Sequence, residues 1–152
     1  MKKKILIILG ILIALSGISV AGITLAAMNA PKHPSDYHIG MKYNDAVKLD
    51  KPVLAVFYVD WCGYCMRFMP KFSMLYKIYH NKFSFVMINV EENAENGKLA
   101  ESVGVAGFPT VYILDPKYDN RVLMPNAFYQ DLGKFRVELD RYLRIRKMLD
   151  AK

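Results

Sequence analysis

The chain has 152 residues, 53% of them hydrophobic and 23% charged, with 21 Lys+Arg against 14 Asp+Glu and a formal charge of +7. That mixture excludes a disordered chain, two cysteines exclude a disulfide-stapled miniprotein, and the length suffices for one domain with a single core. Without residues 1–27, 18 basic residues stand against 14 acidic ones, a balance that calls for no nucleic acid.

Residues 1–4, Met-Lys-Lys-Lys, read as a cytoplasmic basic segment, and the 23 residues from 5 to 27 carry no charge. A helix of that length is about 34 Å long, enough to cross a hydrocarbon core of about 30 Å. Lysines ahead of such a segment stay on the cytoplasmic side, so a retained transmembrane anchor places all that follows outside. A cleaved signal peptide has the same order of charge and apolar run, and the small residues Ala26, Ala27 and Ala30 suit cleavage. Either reading gives an extracytoplasmic domain. Residues 28–39, with Pro31 and Pro34, read as a linker, because proline removes a backbone donor and disfavours helix in the residue before it.

A domain is expected over residues 40–149. Asn44 to Leu49 reads as a short helix ended by Lys51-Pro52, and Val53 to Val59 as a strand buried on both faces. From Cys62 to about His80, apolar Phe68, Phe72, Leu75, Tyr76 and Tyr79 recur at helical spacing. Phe83 to Val90 has strand character, Glu91 to Val103 reads as a helix, and Gly104 is its expected stop. Thr110 to Leu114 and Arg121 to Met124 read as two strands joined by a turn at Asp115-Pro116 to Asn120. Asp131 to about Asp150 closes the chain as a helix with Phe135, Leu139, Tyr142, Leu143 and Met148 as apolar positions. Its Arg136, Arg141, Arg144, Arg146 and Lys147 read as a solvated basic face, which also complements the helix dipole. Strands alternating with helices, then a hairpin and a last helix, make an α/β sandwich around a mixed sheet.

Cys62 and Cys65 stand in Trp61-Cys62-Gly63-Tyr64-Cys65, between the buried strand and the amphipathic helix. Helix positions i and i+3 share a face, so the two sulfurs can come within disulfide distance. Cys62 falls at the helix N-terminus, where free N–H groups and the dipole favour a thiolate and make it the nucleophile. Cys65, one turn on, is the resolving thiol. A purely structural disulfide over so short a loop would stabilise little. A metal centre would need more ligands than His33, His38 and His80 offer, since no second cysteine pair exists. A redox dithiol is the favoured reading, and it needs no cofactor.

On these residues the chain resembles the thioredoxin superfamily over roughly residues 40–149. The Trp-Cys-Gly-x-Cys segment after an apolar strand, Pro70 five residues beyond Cys65, and Gly107-Phe108-Pro109-Thr110 ahead of a strand carry the resemblance. It implies a thioredoxin fold and a cis peptide before Pro109. It further implies a groove shaped by Trp61, Gly63, Tyr64, Phe108 and Pro109, in which the Phe108 backbone pairs with an extended substrate segment. Two features depart from thioredoxins: Val56 stands where many of them carry a buried aspartate, and Gly63-Tyr64 replaces Gly-Pro. Asp60, expected at the surface, is no obvious substitute. Cys-Gly-Tyr-Cys is similar to the sites of bacterial extracytoplasmic disulfide isomerases. The overall layout looks more like small extracytoplasmic thioredoxin-like domains that relay electrons from membrane reductases. The expectation is a thiol–disulfide oxidoreductase acting on extracytoplasmic protein thiols and disulfides, leaning to reductase, with a membrane electron donor as partner. The alternatives are an isomerase or oxidase, and a client-binding module without redox turnover.

Overall fold

The computed structural model describes residues 33–152. The basic segment, the apolar segment and the first part of the linker lie outside the described residues. Among those described, no helix is long and apolar enough to cross a membrane.

In chain order the elements are α1 (Tyr43–Ala46), β1 (Val53–Tyr58), α2 (Gly63–Tyr79), β2 (Ser84–Asn89), α3 (Ala94–Val103), β3 (Thr110–Asp115), β4 (Asn120–Leu123) and α4 (Leu132–Asp150). The four strands form one mixed sheet in the order β2-β1-β3-β4. β1 runs parallel to β2, with Val53 beside Ser84 and Tyr58 beside Asn89. It runs antiparallel to β3, which pairs antiparallel with β4. The continuous apolar run of β1 is explained by its central place. Leu54 and Val56 face a core filled by Phe68, Met69, Phe72 and Leu75 of α2 and by Phe135 and Leu139 of α4. Val53, Ala55 and Phe57 face the other way, onto Ala100 of α3 and onto Ala46 of α1. Side chains alternate across a strand, so a strand covered on both sides has no polar face to show.

The expected elements are all present, with shifted ends. α1 is shorter than the expected 44–49 stretch and starts one residue earlier. α3 begins at Ala94 rather than Glu91, because the Asn93 side chain accepts the Asn96 N–H at 2.9 Å and fixes the first turn there. It ends as expected at Gly104, whose φ of 78° is left-handed. Pro70 sits inside α2, which continues through it. The proline costs the helix one backbone donor without ending it.

Three expectations are corrected. The fold begins before residue 40: a 3-10 turn at Pro34–Tyr37 packs down, Pro34 and Ile39 are buried, and Tyr37 lies against the main core. Gly40 makes this possible, since at φ 83° a Cβ there would stand 2.0 Å from the Phe85 carbonyl oxygen. Second, Met148 is exposed, because the last turns of α4 run past the edge of the core. Third, the basic face of α4 is only partly solvated. Arg146 is almost buried and bonds Asp115 at 2.8 Å, Asp50 at 2.6 Å and Asp150 at 3.2 Å. Burial works against the Arg146 charge, but its hydrogen bonds to Asp50 and Asp115 outweigh that and raise its pKa further. Tyr142 also donates to Asp115, at 3.1 Å. Asp115 closes β3 and is 1% exposed, so this cluster fastens the far end of α4 to the sheet.

Arg146→Ala leaves the buried Asp115 carboxylate without its cation, and a loss of about 3 kcal/mol is expected. Urea unfolding of variant and parent measures it. A change under about 1 kcal/mol would mean that the pair behaves as a surface ion pair.

Candidate active site

The chain leaves β1 at Tyr58, and the Cys62 N–H donates to the Val59 carbonyl at 3.2 Å as it turns. Cys62 is the cap of α2: its backbone is extended, and its Sγ accepts the Cys65 N–H at 3.1 Å. Serine, threonine, asparagine or aspartate usually supplies that acceptor. Here sulfur does, so one of the N–H groups of the first helical turn points at the Cys62 sulfur. The Cys62 S–H in turn lies 3.6 Å from the Phe108 carbonyl oxygen. The Phe108–Pro109 peptide is cis, as the resemblance implied. β3 runs antiparallel to β1, so its N-terminal end, with Phe108 and Pro109 just before it, reaches the end of the sheet where Cys62 sits.

Cys65 is wholly buried beside Tyr58, Val59 and Cys62, with Met87, Val90 and Phe108 against them. Burial first, and then the hydrogen bond with the Cys62 side chain, pushes the Cys65 thiol up to about 12. Burial and the Asp60 charge push the Tyr58 hydroxyl to about 12 as well. Both cysteines are free thiols in this structure, the reduced form of a pair expected to cycle through a Cys62–Cys65 disulfide. Val56 is fully buried in the core on the α2 side, and its neighbour on β2 is Met87. The floor beneath the cysteines is apolar.

The rim is polar and carries one residue the sequence did not single out, Glu91. Trp61 is 73% exposed, and its indole N–H donates to the two Glu91 oxygens at 3.1 and 3.0 Å. Glu91 stands two residues past the end of β2, and because β2 is parallel to β1 both strands end on the same side. That register is the signal that could have found it. Tyr64 is 67% exposed, with the Arg67 guanidinium 4.5 Å from its ring centroid. Gly63 is exposed between them. Asp60 is half-buried rather than free at the surface. It accepts the Ser35 N–H at 3.1 Å, the Ser35 hydroxyl at 2.5 Å and the Asn89 amide at 3.3 Å. The turn at Pro34–Tyr37 brings Ser35 over it. Among the described residues no three His, Cys, Asp or Glu side chains converge as a metal site would require.

A thiol with a pKa near 12 is ionised to about one part in ten thousand at pH 8, and only the thiolate reacts. Iodoacetamide at that pH is expected to alkylate Cys62 and to spare Cys65 in the folded, reduced protein, with Cys65 labelling only as the pH approaches 12. Mass spectrometry of the digested protein reads this, and equal labelling of both cysteines at pH 8 would contradict it.

Comparison with known proteins agrees with this geometry. The thioredoxin family model matches residues 36–124. A protein disulfide-isomerase of Schizosaccharomyces pombe is 43% identical over 79 residues, which are 49% of this chain and 21% of that protein. A chloroplastic thioredoxin-like protein of Arabidopsis thaliana is 35% identical over 75 residues, 49% of this chain and 28% of that protein. The chain thus spans between a fifth and a third of the length of these curated relatives. Among solved structures, a thioredoxin from Halobacterium salinarum superposes with a TM-score of 0.54 at 29% identity, covering 68% of this chain and 86% of that one. With the fold, the vicinal cysteine pair and the matched segment in agreement, the chain belongs to the thioredoxin family.

Proposed function

We propose that the protein is a thiol–disulfide oxidoreductase that reduces protein disulfides on the outer side of the cytoplasmic membrane. In this reading residues 5–27 serve as its anchor or export segment, and a membrane dithiol is its electron source. The observation that carries the redox part is the division of labour at the α2 N-terminus. The Cys62 sulfur caps the helix in a residue that keeps 6% of its surface exposed, and Cys65 is fully buried and held as a thiol one turn below. The membrane part is supported by Lys2, Lys3 and Lys4 ahead of 23 uncharged residues.

In the reducing direction the Cys62 thiolate attacks one sulfur of the substrate disulfide. A bond forms between Cys62 and that sulfur, the substrate disulfide breaks, and its second sulfur leaves as a thiolate. That departing thiolate takes up a proton, and Cys65 has one to give. Ionised, Cys65 attacks the Cys62 sulfur, closes the intramolecular disulfide and releases the first substrate sulfur, which is protonated in turn. Two electrons have passed from the dithiol to the substrate, and the donor restores them by the reverse exchange. An extended substrate segment can lie along the backbone at Phe108, as an added strand would.

A second reading, isomerase or oxidase, is favoured by the Gly63-Tyr64 dipeptide and by the similarity to proteins named as disulfide isomerases. The equilibrium potential separates the two. Titrated against glutathione buffers and read through the fluorescence of Trp61, which is the single tryptophan, the full-length protein is expected near −250 mV or below. A value near −150 mV would replace reductase by isomerase or oxidase.

Cysteine variants test the sequence of steps. Cys62→Ser is expected to abolish turnover of disulfide substrates. Cys65→Ser is expected to retain the first attack and accumulate mixed disulfides, visible on non-reducing gels. A parent protein that turns over no disulfide substrate, while parent and Cys62→Ser suppress client aggregation equally, would remove the oxidoreductase reading and leave a client-binding module.

A further inference from the structure

Beside the redox pair lies a pocket of about 250 Å³ lined by Tyr64, Arg67, Phe68, Lys71, Pro109 and Tyr129, among others. Tyr64, Arg67, Phe68 and Lys71 follow one another at helical spacing, so they form a single stripe of α2 beginning just past Cys62. Its floor is apolar and fixed. Phe68 is buried against Tyr129, with ring centroids 4.9 Å apart, and the Tyr129 hydroxyl donates to the Met124 carbonyl and accepts the Val111 N–H.

Its rim is cationic and unneutralised. Arg67 lies over the Tyr64 ring, and the Lys71 ammonium donates to the Tyr129 carbonyl at 2.9 Å and to the Gln130 carbonyl and side-chain oxygens at 3.3 and 3.2 Å. Neither has a carboxylate partner among the described residues. The other side of the cysteines has the opposite sign. Trp61 carries the Glu91 carboxylate, which belongs to the end of β2, whereas Pro109 and Tyr129 belong with β3 and the segment after β4. The sheet order β2-β1-β3-β4 sets these two sides on either flank of Cys62.

We infer that this pocket selects the substrate: it takes an acidic side chain of a client protein, close in sequence to the cysteine whose disulfide is attacked. The inference rests on the oxidoreductase reading above and adds its specificity. A client segment extended along Phe108 and Pro109 advances about 3.3 Å per residue. Arg67, five residues beyond Cys62, lies about 7.5 Å along the helix axis. For a segment laid along α2 over Pro109, that distance places the acidic residue about two positions from the attacked cysteine. A basic residue there meets Arg67 and Lys71, and an acidic one placed on the opposite side meets Glu91.

The test uses reduced full-length protein and synthetic peptides with one cysteine held as a disulfide with 2-mercaptoethanol, differing only in Glu, Gln or Lys about two positions away. Single-turnover reduction is followed by Trp61 fluorescence. At low salt the expected order is Glu over Gln over Lys, with a Glu-to-Lys rate ratio of about ten, collapsing toward one at about 1 M salt where screening acts within about 3 Å. Arg67→Glu, an exposed change, is expected to bring the ratio below one, and Lys71→Gln to lower it about threefold. A ratio near one in the parent, or a ratio unmoved by Arg67→Glu, overturns the inference while leaving the oxidoreductase reading intact. A charge preference seen with glutathione disulfide and not with the peptides also overturns it, in favour of a small-molecule carboxylate site. Failure to reduce any of the peptides, the Gln one included, removes the oxidoreductase reading and this inference with it.

Discussion

The hydrogen bond from the Cys65 N–H to the Cys62 sulfur is the contact on which the site depends. A helix that begins straight after a buried strand leaves its first N–H groups without internal partners. In most proteins an oxygen-bearing side chain meets that need. Here the need is met by a sulfur, which places the nucleophile in the field of the helix end. The same geometry sets Cys65 one turn deeper, where burial holds its proton. Two cysteines of identical chemistry are thereby given different jobs by a difference of three residues along one helix.

That arrangement needs a rigid base, and β1 supplies it. The strand is central, covered on both faces and buried at every position. The antiparallel β3 brings the cis Phe108–Pro109 peptide back to the cysteines, and the parallel β2 delivers Glu91 to the same end. The far end of the sheet is held differently, by Arg146 among Asp115, Asp50 and Asp150. Polar contacts thus clamp the end opposite the cysteines, while the site itself stands on an apolar floor of Val56, Met87 and their neighbours.

An apolar floor changes how the proton of Cys65 is handled. In the proposed reaction, with valine rather than a carboxylate at position 56, the thiolate released in the first exchange takes that proton. The rim carries charge of one sign on the β2 flank and of the other on the β3 flank, the basis of the inferred selection. A floor without charge and a rim with it separate the chemistry from the recognition.

Several things were legible in the residues alone. Two cysteines three apart at a strand-to-helix boundary, an apolar run with no polar face, and periodic apolar positions in α2 and α4 define the architecture and the reacting atoms. They do so because periodicity and helix-end chemistry are local. The proline in α2 and the one before β3 were legible only through likeness to a family, for composition gives no reason to place them there. The tertiary structure decided what depends on contacts distant in sequence. Ser35 meets Asp60 because Gly40 lets the leading turn fold against β2, so the domain starts earlier than the prolines suggest. Arg146 became a nearly buried anchor rather than a surface cation because β3 ends on a buried aspartate beside α4. Glu91 came to lie across Cys62 from the α2 residues Arg67 and Lys71 because β2 ends beside β1 on the flank away from β3. A linear sequence states the charges, and only the sheet's register and crossover decide which flank each one occupies.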